Sequence, residues 1–202
     1  MRFAQAKWML SAFALAGILG QLYFALERGW AQGKGTLEIL GNFFSYFTIL
    51  TNSLVVASPW LRRPAANAAL AVYILVVGVV YHLLLSGLYQ FQGLEWWADK
   101  VLHYIVPIGF VGAWALLAEK EPLSWWQPVQ WLRYPGAYFA YTLVRGNWTG
   151  WYPYPFANVE KLGLAQAVLN GVGVVGFFLV LGVAAVGWTR MKPLSANRLN
   201  EQ

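Results

Sequence analysis

Gly41-Asn-Phe-Phe-Ser-Tyr-Phe-Thr-Ile-Leu-Thr-Asn52 is the stretch whose reading decides the fold. It is apolar enough to lie in a membrane, yet it carries a line of small polar side chains. On a helix, at about 100° per residue, Asn42, Ser45, Thr48 and Asn52 fall on one arc of roughly 120°, with Thr51 just beyond it. Hydrocarbon offers such an arc no hydrogen-bond partner. The arc must face protein, water or a ligand, and that requires a helical bundle around it.

The composition agrees. Of 202 residues, 59% are hydrophobic and 11% are charged, and the mean hydropathy is +0.49. A soluble domain is about one quarter charged, so this is the composition of a membrane protein. Aromatic residues make up 17%, and many stand near the ends of apolar runs, where an interfacial belt puts them. There is no cysteine, which excludes disulfides, thiolate-bound metal and a cysteine nucleophile. The net charge of +6 comes from basic residues between the apolar runs and at the termini. It reads as a topology signal and not as a nucleic-acid surface.

Working outward, the apolar runs cover about 7–26, 37–61, 67–89, 98–117, 125–145 and 162–188. Each is long enough to cross a bilayer. The first follows Arg2 and Lys7 but has no small-x-small cleavage site before Glu27-Arg28, so it reads as a retained span and not as a signal peptide. Ala12, Ala16 and Gly20 offer it a small-residue packing line. Short loops force neighbouring helices to be antiparallel. The expectation is all-α: one polytopic domain over 1–202, a six-transmembrane-helix bundle. Arg2, Lys7, Arg62, Arg63, Lys120, Arg133, Arg190, Lys192 and Arg198 fall on one side. Arg28, Lys34, Lys100, Arg145 and Lys161 fall on the other. The richer side belongs in the cytoplasm, and both termini go with it.

This orientation gathers the polar groups in the outer half of the membrane. Thr48 lies about 15 Å along its helix. His82 with Ser86, and Asp99 with His103, sit outward of mid-membrane. Arg145 ends the fifth run beside the aromatic loop Gly146–Phe156, which contains Tyr152. Ionisable residues inside a membrane are functional candidates by default. A threonine hydroxyl becomes a nucleophile when a base takes its proton, and histidine is the usual base. Thr48, His103 and Asp99, one turn before His103, could supply nucleophile, base and orienting carboxylate. Asn52, Ser45 or Arg145 could donate to an oxyanion.

Other readings stand beside this one. Thr51 has the same chemistry as Thr48, and serines and threonines in membrane helices commonly bond their own backbone. His82 with Ser86 fits a simple interhelical hydrogen bond. The same polar groups could line a pore or proton path, although no paired repeat accompanies them. A metal site is weaker still, with two histidines and no H-x-x-x-H spacing. Nothing calls for a cofactor.

Three motifs carry a resemblance. Phe44-Ser-Tyr-Phe-Thr-Ile-Leu-Thr-Asn52, Asp99-Lys-Val-Leu-His-Tyr-Ile-Val-Pro107 and Tyr141-Thr-Leu-Val-Arg-Gly-Asn-Trp-Thr-Gly-Trp-Tyr-Pro-Tyr-Pro-Phe156 resemble a bacterial integral-membrane family called Pr6Pr. That family is similar to the androgen-induced and androgen-dependent transmembrane hydrolases, six-helix threonine enzymes that cleave fatty acid esters of hydroxy fatty acids. The resemblance implies a bacterial inner-membrane hydrolase that takes a lipid substrate from the bilayer and needs no cofactor. It implies His103 as the family histidine. It favours Thr48, in Tyr46-Phe47-Thr48, over Thr51 as the nucleophile. The role of Asp99 rests on spacing alone. Water would arrive near Arg145 and Tyr152, and Arg145 could hold a substrate carboxylate. The rival class is a non-enzymatic membrane protein, either a small-solute or proton transporter or a lipid-binding protein. The glycines of the sixth run (Gly171, Gly173, Gly176, Gly182) suit packing within the bundle or against a second copy, so the oligomeric state stays open.

Overall fold

The structure, a computed structural model, describes residues 2–88 and 90–191. The expected basic tail at Lys192 and Arg198, and the expected helix end at Tyr89, lie outside them. The described residues form helices and no strand. In order they are α1 (Arg2–Ala31), α2 (Thr36–Phe43), α3 (Phe47–Val56), α4 (Pro64–Val80), α5 (Gly93–Lys100), α6 (Val106–Leu117), α7 (Gln127–Trp131), α8 (Arg133–Thr149), α9 (Val159–Leu162) and α10 (Leu164–Met191). A π turn, Tyr81–Leu85, extends α4, and a second, Val101–Ile105, joins α5 to α6.

Four stretches are long and apolar enough to cross a membrane: Arg2–Ala31, Pro64–Leu85, Gly93–Leu117 and Leu164–Met191. A fifth crossing is made if α2 and α3 count as one span. The expected continuous helix over 37–61 is therefore corrected. It breaks at Phe44–Tyr46, with a bend of 75°. The fifth expected run also divides, at Leu132. Pro128 and Pro135 sit in the first turns of α7 and α8, where a missing N–H costs nothing.

α4 is the centre of the bundle. Of its apolar stretch 61% is buried, against 22% to 28% in the other three. It packs on α3, α6 and α10, while α1 runs along α3, α5 and α6. Lipid tails are as apolar as leucine, so close packing and polar contacts hold the helices together, rather than removal of apolar surface from water. The face that α1 uses is Leu10, Ala14, Gly17 and Ile18. Ala12 and Ala16 of the expected small-residue line are exposed. A Cβ on Gly17 would stand 2.7 Å from the Leu102 side chain, so this glycine sets how near α1 comes to the second π turn.

Candidate active site

Two irregularities in the helices build the site. The first is at Pro107, which has no N–H to give to the His103 carbonyl. The helix widens there into the π turn, and Val106 N–H donates to Val101 O. Gly78 of α4 lies directly against this turn. A Cβ at that position would be 3.1 Å from both His103 O and Pro107 Cβ. The close approach brings Tyr81, first residue of the other π turn, flat onto the His103 ring, with 3.8 Å between centroids and 17° between planes. Single-turn π segments recur at functional sites because they re-aim a side chain without ending the helix.

The second irregularity is the break at Phe44–Tyr46. In a continuous helix the Ser45 carbonyl would accept from Ile49. Here it accepts from the Tyr138 hydroxyl of α8 at 2.8 Å. Ser45 Oγ donates to Gly41 O at 2.6 Å and meets the Tyr141 hydroxyl at 2.7 Å. These bonds supply what the broken backbone lacks. Tyr46 is extended, α3 starts at Phe47, and Thr48 becomes its second residue. Thr48 therefore stands at the N-terminal end of a helix buried in the bundle.

There it meets His103. Thr48 Oγ1 lies 3.3 Å from His103 Nε2. On the far side of the ring, His103 Nδ1 is 3.0 Å from Asp99 Oδ1 and 2.9 Å from the Asp99 carbonyl oxygen. Both neighbours of Nδ1 can only accept, so Nδ1 carries the proton. Nε2 is then left with its lone pair toward the threonine. The Asp99 side chain is 3% exposed, and it is fully engaged. Tyr81 O–H donates to its Oδ2 at 2.5 Å, and Lys100 Nζ does so at 3.1 Å. Lys100 in turn lies over the rings of Tyr81, Trp96 and Tyr104. A buried carboxylate needs such partners to remain charged.

Two cavities meet at Thr48. The wide one is about 790 Å³. It is walled by Arg28, Gln32, Lys34 and Glu95 from the loop ends, and deeper by Asp99 and His103. Arg28 and Glu95 form an ion pair. The narrow one is about 70 Å³ and apolar, with Val76, Val80, Phe139, Val174 and Phe178 among its walls. Thr48, Leu85 and Tyr154 line both.

The other residues singled out from the sequence go elsewhere. Ser45 serves the helix break. Thr51 Oγ1 pairs with the Tyr134 hydroxyl at 3.1 Å. Asn52 Nδ2 donates to Thr48 O at 2.9 Å and to Leu102 O at 3.3 Å, so it braces α3 against the second π turn. His82 is exposed and its Nδ1 is 3.1 Å from the Tyr104 hydroxyl. Arg145 donates to Asn42 Oδ1 at 2.7 Å and lies over the Trp151 ring. Tyr152 packs against Gly146. Neither Arg145 nor Tyr152 lines either of these two cavities.

The sequence reading missed two tyrosines. Tyr81 and Tyr154 were absorbed into the expected aromatic belt. A signal for Tyr154 did exist: it stands between Pro153 and Pro155, a context that restricts the backbone. For Tyr81 the sequence offers no such signal, since it differs from a belt tyrosine only in the partners of its hydroxyl. Among the described residues no three His, Asp or Glu side chains group as metal ligands. No family model, curated protein or solved structure matches the chain.

Proposed function

We propose that this protein is an intramembrane hydrolase of lipid esters, with Thr48 as nucleophile, His103 as general base and Asp99 as the group that orients it. The carrying observation is the chain of contacts from Thr48 Oγ1 to His103 Nε2 at 3.3 Å and from His103 Nδ1 to Asp99 Oδ1 at 3.0 Å. It lies where a wide cavity with charged groups in its wall and a narrow apolar one share Thr48 as a lining residue. Fatty acid esters of hydroxy fatty acids, or similar esters, are the substrates proposed.

The chemistry balances as an acyl transfer. His103 Nε2 takes the hydroxyl proton as Thr48 Oγ bonds to the ester carbonyl carbon, and the carbonyl π pair moves onto oxygen. When that pair returns, the carbon–alkoxy bond breaks and His103 gives its proton to the departing alcohol. Water then attacks the threonyl ester, His103 takes its proton, and the acid is released with Thr48 restored. Asp99 holds the ring in the required tautomer and stabilises its charged form. The apolar cavity suits part of an acyl chain, and the wide one suits water and the alcohol portion.

The proposed setting is a six-span bundle in a bacterial inner membrane, both ends in the cytoplasm, with the bent α2–α3 pair and α7–α8 completing the crossings. Two contacts support it. Lys7 bonds the Leu61 carbonyl beside Arg62 and Arg63, and Arg190 bonds the Leu123 carbonyl near Lys120, as cytoplasmic basic clusters would.

Fluorophosphonate labelling of the purified protein in detergent tests the function. Wild type and Thr51→Ala are expected to label, with Thr48→Ala and His103→Ala reduced by a factor on the order of 10³ or more. A folded wild type that never labels and turns over no ester overturns the reading. Solute flux in vesicles would then be the property to measure.

A further inference from the structure

The acyl transfer above leaves one question: what receives the negative charge on the carbonyl oxygen. Of the three donors expected from the sequence, two are engaged elsewhere, and Arg145, whose buried Nη1 has no hydrogen-bond partner, lines neither of the two cavities. Ser45 is bonded to Gly41 and Tyr141, Asn52 to two backbone carbonyls, and Arg145 to Asn42. Resting on the hydrolase reading, we propose that the Tyr154 hydroxyl is the oxyanion donor, a catalytic residue that bonds the developing negative charge.

Position is the first argument. The Tyr154 hydroxyl is 3.4 Å from Thr48 Oγ1, and among the described residues only Tyr154 and Leu85 share with Thr48 the walls of both cavities. An ester carbonyl brought against Thr48 must set its oxygen beside the nucleophile, and the Tyr154 hydroxyl is within reach of that position. The second argument is the direction of the bonds. Thr48 N–H donates to the phenol oxygen at 3.3 Å. That oxygen is thus already an acceptor, with the Phe47 backbone and the Tyr138 hydroxyl also beside it, and its own proton has Thr48 Oγ1 within reach. During attack the Thr48 oxygen commits a lone pair to carbon, and the carbonyl oxygen becomes the better acceptor for the same proton. Tyr154 keeps its proton throughout, so no transfer has to be balanced.

The third argument is electrostatic. The phenol sits at the first turn of α3, where the helix presents its positive end. A phenol that accepts from a backbone N–H is a stronger donor in turn. Burial also pushes the phenol above its ordinary value, so it stays protonated when the base is active. Finally, the hydroxyl is held in place. The Tyr154 ring stacks on Phe156 at 5.2 Å and 4° and meets the edge of Tyr46 at 5.8 Å. A donor fixed in advance is what oxyanion stabilisation requires.

Tyr154→Phe removes the hydroxyl and keeps the ring. In detergent, kcat on a p-nitrophenyl ester and the fluorophosphonate labelling rate are both expected to fall by about 10²–10³-fold, with KM within about threefold. If Tyr154→Phe does not fold, 3,5-difluorotyrosine at position 154 retains the hydroxyl but ionises more readily. It is expected to add a loss of activity at high pH that wild type lacks, and a profile that superposes on wild type overturns the proposal. A folded Tyr154→Phe with kcat within fivefold of wild type, while Thr48→Ala is inactive, overturns the role of Tyr154 and leaves the hydrolase reading standing. A wild type without turnover or labelling overturns both.

Discussion

The two π turns of the bundle are built alike and end up different. Each carries a histidine next to a tyrosine, Tyr81-His82 in one and His103-Tyr104 in the other. The tyrosines are exchanged across the helix pair. Tyr81 lies flat on His103, and Tyr104 bonds His82 at 3.1 Å. One histidine–tyrosine pair therefore faces inward and the other faces outward. The inward pair has a buried carboxylate behind it and a cavity in front. The outward pair has neither. The local conformation is shared, so it cannot decide which histidine does chemistry. The neighbours of the second ring nitrogen decide it.

The sharpest way to break this contrast is to remove the carboxylate. Asp99→Asn keeps the size of the side chain but removes the negative charge that stabilises the imidazolium, and leaves the backbone carbonyl of residue 99 as the fixed acceptor for the Nδ1 proton. A loss in kcat of about 10²- to 10⁴-fold is expected on the ester that reports wild-type activity. Activity within tenfold would show that the two histidines differ less than their surroundings suggest.

A smaller effect is expected from the contact that holds the two turns together. Gly78→Val forces side-chain atoms against the His103 carbonyl and Pro107, costing about 1–3 kcal/mol of stability as overpacking. A shift of about 1 Å in His103 would lower kcat on the order of 10²-fold. Thermal unfolding and turnover of the same preparation separate the two effects. A destabilised protein with wild-type kcat would mean that the turn holds its own shape without α4.

The smallest effect should come from the outward pair. His82→Ala removes an exposed side chain, and both labelling and turnover are expected within about twofold of wild type, with stability changed by about 0.5 kcal/mol or less. A large loss would join the outer pair to the site and erase the contrast.

How much of this was legible beforehand follows from the range of the interactions. Helicity and membrane character come from composition and run length, which a single sequence carries in full. The pairing of Asp99 with His103 is a contact between residues four apart, so spacing on a helix could suggest it. The break at Phe44–Tyr46 is another matter. Its backbone bonds are completed by Tyr138 and Tyr141 of α8, more than ninety residues away in the chain. No local pattern announces that. The helical wheel drew Asn42, Ser45, Thr48 and Asn52 onto one arc because it assumed an unbroken axis. With the axis bent, Asn42 turns to Arg145 and Thr48 turns to His103. Tyr81 and Tyr154 were hidden for a related reason. A tyrosine at the end of an apolar run resembles an interfacial anchor until the partner of its hydroxyl is known.

The bend has a further consequence for the bilayer itself. α2 and α3 have 8 and 10 residues, which gives rises of about 12 and 15 Å. Set at 75°, the two helices by themselves reach about 20 Å end to end, against roughly 30 Å of hydrocarbon, and the three residues of the break must supply the rest. If the pair is a single crossing, its helical part is short for a bilayer. Such hydrophobic mismatch is relieved by thinning the adjacent leaflet or by tilting the segment. The packing around Thr48 should therefore respond to the acyl length of the surrounding lipids, and bilayer thickness becomes a variable of the protein as much as of the membrane.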